Sequence, residues 1–403
     1  MNLERIKREN FNINWAAEKR PSQALFEKAM EHCLTITRKN TEEFAEKFMS
    51  ACGVNGRYIP VENADMTLCS DWTSSFFTGM LWLAYEYSGE EKFKLLAKKH
   101  TQSFRERLKS NDMVDHHDVG FLYILSAVAD YKVTGDEKAK QLGLCAADKL
   151  LTRFREKIGI FQQNGNLQDL SSHMTGRFII DCSMNVPLLY WATSVTGNES
   201  YAQKATIHMN HMLQHLVRDS AGTYQAGILD IETGAVKKLF APQGAQGDNA
   251  CWSRGQAWGI YGLSLLAEHT GCTAYLDVAK KLSIYFLNRL PSDRIANWDL
   301  LFTADNDQRD SSAAAIAVCG LLELSKQLPV YDPDRNLLES AALCILGSLT
   351  ENYLIREEDS NALLRGGVYS MTADRGVNEP CIWGDYFYME ALMRVLKPFR
   401  LYW

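Results

Sequence analysis

At 403 residues, with 46% apolar and 23% charged side chains and nine prolines, the chain can bury a large core and is not a disordered polymer. Its net charge of −6, with no basic block or tail, excludes nucleic acid as the expected partner. An anionic small molecule remains possible, provided that individually placed arginines meet its charge. Length alone suggests two or three domains, unless one architecture repeats along the chain.

The first ten residues are charged from Glu4 onward and carry no apolar run, so no secretory leader is expected. No stretch approaches the roughly eighteen uncharged apolar residues of a membrane span. Ten cysteines occur without a CxxC pair, and Cys145, Cys319 and Cys344 fall within apolar helical stretches. They read as buried free thiols of a soluble, cytoplasmic protein.

In chain order, helical periodicity dominates and strand-like alternation is scarce. Amphipathic helices are predicted from about Ser22, Lys92, Glu137, Glu199, Thr273 and Asp334. In the second of these, Phe93, Leu96, Ala97, His100, Phe104 and Leu108 share one face, with lysines and arginines opposite. Between them lie segments that are apolar on nearly every side, beginning near Thr73, Asp118, Asp181, Arg254, Asp310 and Asp385. Such helices must be surrounded by protein. The dipeptides Ser88-Gly89, Thr134-Gly135, Thr196-Gly197 and Thr270-Gly271 each end an apolar helix, as a C-cap glycine does. Six inner helices alternating with six outer ones predict an all-α (α/α)6 toroid. It forms a single domain over residues 1–403, with residues 1–20 as an N-terminal arm.

In that topology all inner helices run the same way, so their N-termini and unpaired N–H groups collect at one end of the ring. Polar clusters sit at those starts: Asp71-Trp72-Thr73, His116-His117-Asp118, Asp181, Trp252-Ser253-Arg254, Arg309-Asp310-Ser311 and Trp383-Gly384-Asp385. Each alone reads equally as a helix cap. Six together, three with tryptophan, outline a sugar-binding cleft, since sugar faces stack on aromatics and hydroxyls need acceptors.

No P-loop, dinucleotide fingerprint or nucleophile elbow is present, and no cofactor is expected. His208, His211 and His215 have metal-ligand spacing, but they fall on an outer helix. The adjacent His116 and His117 point in different directions on a helix, so neither group is assigned a metal. The remaining candidates are Asp118 and Asp181, both in apolar local sequence. Two carboxylates facing one cavity disfavour double ionisation, which would leave one protonated as an acid. Residue type alone does not separate that role from capping.

These residues, in this order, resemble the unsaturated glucuronyl hydrolases of glycoside hydrolase family 88. The likeness runs from about Trp72 to Arg394. It is carried by His117-Asp118-Val119-Gly120-Phe121, by Ile179-Ile180-Asp181-Cys182-Ser183-Met184-Asn185 and by Trp252 to Gly262. Arg309 to Ala315 and Ile382 to Tyr388 complete it. The resemblance implies removal of 4,5-unsaturated uronic acid from the non-reducing end of lyase-generated glycosaminoglycan oligosaccharides. Water adds across C4=C5, and the resulting hemiketal opens and expels the remaining sugar.

By the same resemblance Asp181 is the proton donor, and Asp118 holds ring hydroxyls and tunes its partner. Arg254 meets the substrate carboxylate, helped by Gln243 or Gln246. Trp72 and Trp258 stack on sugar, unless they serve core packing, and His117 also contacts substrate. Gln225 stands where the family often has a histidine. No tryptophan appears near Asn164 to Asn166, where the family often has one. Ser370, Ala373 and Arg375 replace a Ser-x-x-Ser-x-Lys pattern, which implies altered sulfate recognition at Ser370 and Arg375. The rivals are a hydrolase of unsaturated rhamnogalacturonan ends, a histidine-dependent sugar epimerase and a non-catalytic sugar-binding toroid. The parent polysaccharide and the oligomeric state are left open.

Overall fold

The computed structural model describes residues 2–65, 71–241 and 250–403. Outer helices span Gln23–Glu43, Glu91–Ser110, Glu137–Leu151, Glu199–Leu216, Thr273–Leu287 and Pro333–Ser348. Each has solvent-facing residues, although Thr273–Leu287 is buried on every side from Leu282 onward. In the second, Phe93, Ala97, His100 and Phe104 are buried while most of its lysines face solvent. Arg107 breaks that pattern: it is buried and donates to the carbonyls of Asp71, Asp112 and Met113, so it shapes the rim loop beside the site.

Inner helices span Ser74–Ser88, Val119 to Thr134 (with a π turn at Ile124–Val128), Pro187–Thr196, Ser253–Thr270, Ser311–Gln327 and Ile382–Leu396. Every residue from Ser253 to Ala267 and from Ser311 to Leu321 is buried, as their all-round apolar sequence requires. Gly89, Gly135, Gly197 and Gly271 end four inner helices at φ of 75°, 72°, 74° and 67°. A β-carbon is disfavoured in that left-handed conformation. Phe76 of the first inner helix meets Tyr386 and Phe387 of the last, with ring centroids 5.7 and 6.0 Å apart, so the inner ring closes on itself.

Neighbouring inner elements approach more closely than side chains normally permit. A β-carbon on Gly262 would lie 2.4 Å from Ser183 Cβ. The chain preceding the first outer helix is strapped to the outside of the ring. Ile6 and Trp15 are buried, Arg8 pairs with Asp334, and Arg5 donates to the carbonyls of Leu213, Gln214 and Val217.

Several expectations are corrected. Short antiparallel pairings do occur, all in the connections. They are Phe48–Met49 with Pro60–Val61, Phe154–Arg155 with Ile160–Phe161, and Gly367–Ser370 with Arg375–Glu379. A three-stranded sheet joins Arg177–Ile179, Ala226–Leu229 and Val236–Phe240. These runs of two to five residues are too short for a period-2 pattern to show. The third inner element enters through a 3-10 turn, Ile180–Met184, before its helix starts at Pro187.

The last inner helix begins at Ile382, which places Asp385 inside its first turn. There its buried carboxylate accepts from Leu363 N, Leu364 N and Tyr58 OH, so it ties connecting loops together and takes no place at the rim. The nine described cysteines are free, and Cys319 is buried as expected. Cys145, however, is exposed and Cys344 half-buried, because each lies on an outer helix.

Candidate functional site

The inner-helix starts surround a cavity of about 310 Å³, near the lower end of the ~300–1,000 Å³ usual for small-ligand sites. Trp72, His117, Asp118, Asp181, Gln225, Arg254, Trp258 and Ser370 all reach its wall, as the sequence implies. Gln243 and Gln246 lie outside the described residues. Arg375 does not reach the wall; it stays exposed on its hairpin with its guanidinium over the Tyr369 ring. The wall also contains Asp71, Gln163, Asn164, Trp252, Trp298 and Tyr369. Asp71 and Trp252 belong to rim clusters visible in the sequence, whereas Gln163 and Trp298 sit in loops with no distinguishing pattern.

At the centre, the buried His117 directs Nε2 towards both aspartates, 3.3 Å from Asp118 Oδ2 and 3.7 Å from Asp181 Oδ1. Asp118 occupies the N-cap position of its helix, yet its side chain makes no capping hydrogen bond. Asp181 lies inside the 3-10 turn Ile180–Met184, not at its N-cap position. Asp310, by contrast, is an ordinary cap that accepts from Ser312 N and Ala313 N. Neither central carboxylate caps its own element.

Their proton affinities diverge. Burial, opposed by the charge of His117 and reinforced by that of Asp118, pushes the Asp181 carboxyl up to about 7. Burial acts on Asp118 in the same direction, but the positive charge of His117 and hydrogen bonds from His116 and His117 outweigh it and hold Asp118 well below the usual carboxylate range. His117 in turn is held protonated: burial opposes its charge, and Asp118 overrides that. The result is a protonated acid and an anion bridged by an imidazolium. Among the described residues Asp181 Oδ1 is buried without a hydrogen-bond partner, with His117 Nε2 3.7 Å away.

His117, Asp118 and Asp181 are also the one described group of three metal-ligand side chains whose ligand atoms lie within 4.8 Å of each other. The outer-helix histidines do not converge. His208 Nδ1 accepts from Phe161 N, and His211 stacks on His215 at 5.8 Å.

Arg254 lines the cavity and makes further contacts behind it. It is buried between the rings of Trp252 and Trp383, 4.6 and 4.9 Å from their centroids. It donates to Asp310 Oδ2 at 3.0 Å, to Val368 O, and to Tyr369 O at 2.7 Å. Those bonds leave at most two of a guanidinium's five N–H groups for a ligand. Arg254 therefore anchors the 367–379 hairpin against the site as well as supplying positive charge. The hairpin's Tyr369 hydroxyl accepts from Trp72 Nε1 at 3.1 Å and sets the Trp72 ring at the rim. Trp258 is only 1% exposed and packs on Phe121 and Phe387, so core packing accounts for most of its surface although it also lines the cavity.

The glycosyl hydrolase family 88 profile matches residues 41–336. The chain belongs to glycosyl hydrolase family 88. It is 41% identical over 377 residues to an unsaturated chondroitin disaccharide hydrolase from Streptococcus pneumoniae, covering 93% of each chain. The crystal structure of an unsaturated glucuronyl hydrolase from Streptococcus agalactiae superposes with a TM-score of 0.94 at 39% identity, covering 100% of both chains. A mutant of that enzyme complexed with dGlcA-GalNAc6S matches with a TM-score of 0.87 at 37% identity, again over 100% of both chains. In this family 88 glycoside hydrolase the paired carboxylates lie where the inner helices of the toroid begin.

Proposed function

We propose that this enzyme releases 4,5-unsaturated uronic acid from the non-reducing end of glycosaminoglycan oligosaccharides produced by lyases, with Asp181 as the acid. The observation that carries the reading is the divided pair: Asp181 retains a proton near neutrality while Asp118, 3.3 Å from the His117 imidazole, remains an anion.

Asp181 delivers its proton to C4 of the enol ether, and positive charge develops at C5 and the ring oxygen. The resulting Asp181 carboxylate then takes a proton from the water that attacks C5. The product is a C5 hemiketal. It opens to a ketone and leaves a hemiacetal at C1, which collapses to an aldehyde as the bond from C1 to the leaving oxygen breaks and the remaining sugar departs as an alcohol. The sum is substrate plus one water, and no glycosyl-enzyme bond is formed. Asp118 and His117 hold the ring hydroxyls, and burial together with the negative charge of Asp118 keeps the proton on Asp181. Trp72 offers its face to the sugar, and Arg254 places positive charge beside the substrate carboxylate.

Nine free cysteines support an intracellular location for this chemistry. No described helix is long and apolar enough to cross a membrane.

The direct test follows the ultraviolet absorbance of the conjugated double bond in unsaturated chondroitin and hyaluronan disaccharides. Wild type should bleach it and Asp181→Asn should not. Turnover confined to unsaturated rhamnogalacturonan fragments would overturn the substrate assignment, and binding without turnover would overturn the enzymatic one.

A further inference from the structure

An aspartate at the first position of a helix ordinarily turns its carboxylate inward and accepts from the backbone N–H two or three residues on. Asp118 does not, although the Phe121 amide three residues later needs an acceptor. That amide donates instead to Asn185 Oδ1, at 2.7 Å, from the neighbouring inner element. The other end of the same amide side chain donates to Asp118 Oδ1 at 3.2 Å and to the Asp181 carbonyl at 3.4 Å. The orientation is dictated by the partners. A flipped amide would set NH₂ against the Phe121 N–H and its carbonyl against the Asp118 carboxylate. Asn185 is fully buried, and the two backbones touch beside it: a β-carbon on Gly120 would lie 2.3 Å from Asn185 Cα and O.

We infer that Asn185 is a positioning residue that caps the Asp118 helix from outside and thereby frees the Asp118 carboxylate for His117 and the substrate. One primary amide satisfies the helix end, pins the anion and ties it to the backbone of the acid. Without it, Asp118 is free to rotate onto the Phe121 amide as a common N-cap, away from His117. This inference rests on the proposed hydrolysis only in using turnover as a readout.

The test is a double-mutant cycle of Asn185→Ala and Asp118→Asn, with kcat, KM and thermal midpoint measured for all four proteins. In the wild-type background, Asn185→Ala is expected to lower kcat about a hundredfold and to leave KM within about threefold, the scale of a lost general acid–base arrangement. The melting temperature should move little, because Asp118 takes over the cap. In the Asp118→Asn background the same substitution should cost less than about threefold. Independent, multiplying effects, or an Asn185→Ala enzyme with more than a third of wild-type kcat, would overturn the inference. A large loss of stability with a proportionate loss of activity would do the same, since that is what a merely structural residue predicts.

Should Asn185→Ala fail to fold, Asn185→Asp carries the same cycle. It keeps an acceptor for Phe121 and replaces the donor to Asp118 with a second carboxyl, whose negative charge holds the proton on Asp181 to higher pH, so activity should fall at a higher pH than in wild type. A wild type inactive on every unsaturated disaccharide would refute the proposed function but not this inference. In that case, carbon NMR titration of the Asp118 carboxyl reads the contact directly. Removal of the Asn185 donor should move that titration up towards the ordinary carboxylate range, and an unmoved titration would refute the inference.

Discussion

If Asp181 is the acid, activity must follow its proton. Burial and the neighbouring Asp118 raise its pKa from 3.8 to about 7, against the pull of His117. A shift of that size corresponds to about 4 kcal/mol of preference for the neutral form. The sign is set by the role: the protonated form is competent, so turnover is full well below pH 7 and declines as pH rises through that value. The competent fraction drops from about 0.9 at pH 6 to about 0.1 at pH 8, hence kcat should fall about tenfold across that interval and about tenfold per further unit. Asp118, held far below the usual carboxylate range, stays ionised throughout. The substrate carboxylate does not titrate there either, so a single limb is expected. The assay is the initial rate of absorbance loss at saturating substrate from pH 5 to 9. Asp181→Asn, run in parallel, should lose about 10²- to 10⁴-fold in kcat and show no limb. A flat or rising profile between pH 6 and 8, or an Asp181→Asn enzyme with more than a tenth of wild-type kcat, would refute the assignment.

Other substitutions probe the wall. Trp72→Ala removes a ring face worth about 1–1.4 kcal/mol, so KM should rise about five- to tenfold with kcat nearly unchanged; a change confined to kcat would count against stacking. Arg254→Lys keeps the charge but loses the fork that joins Asp310 to the carbonyls of Val368 and Tyr369. KM should rise at least tenfold, and denaturant unfolding should show a loss of about 3 kcal/mol as the buried Asp310 is left poorly paired. Gly120→Ala forces a β-carbon into the Asn185 backbone and separates the two aspartates; kcat should fall more than a hundredfold, as steady-state kinetics on the folded protein will show. Arg375→Ala, outside the cavity wall, should change kcat/KM on an unsulfated disaccharide by less than about twofold.

Much of this architecture was legible in the chain because its causes are local. A 3.6-residue period with one wet face identifies the outer helices, and apolar residues on all sides identify the inner ones. A glycine after the last turn identifies where four of them stop. Once the alternation is counted, the ring and the gathering of polar helix starts at one rim follow from connectivity alone. The two aspartates were visible as carboxylates in apolar sequence, and their family resemblance assigned them roles.

What only the tertiary structure decided is which partner each polar group finds. Asp118, Asp310 and Asp385 look alike in sequence, each at or near the start of an inner helix. One accepts from Asn185 beside His117, one caps its own helix and clamps Arg254, and one gathers three loop donors. Cys145 and Cys319 also sit in similar local sequence and end on opposite sides of the protein boundary. Arg254 lines the cavity and also donates to the carbonyls of a hairpin more than a hundred residues away. Asn185 gave no sign that it would cap a helix 64 residues earlier. Periodicity is a property of one helix and can be read along the chain. A hydrogen-bond partner across two helices depends on their spacing and rotation, which exist only once the ring has closed.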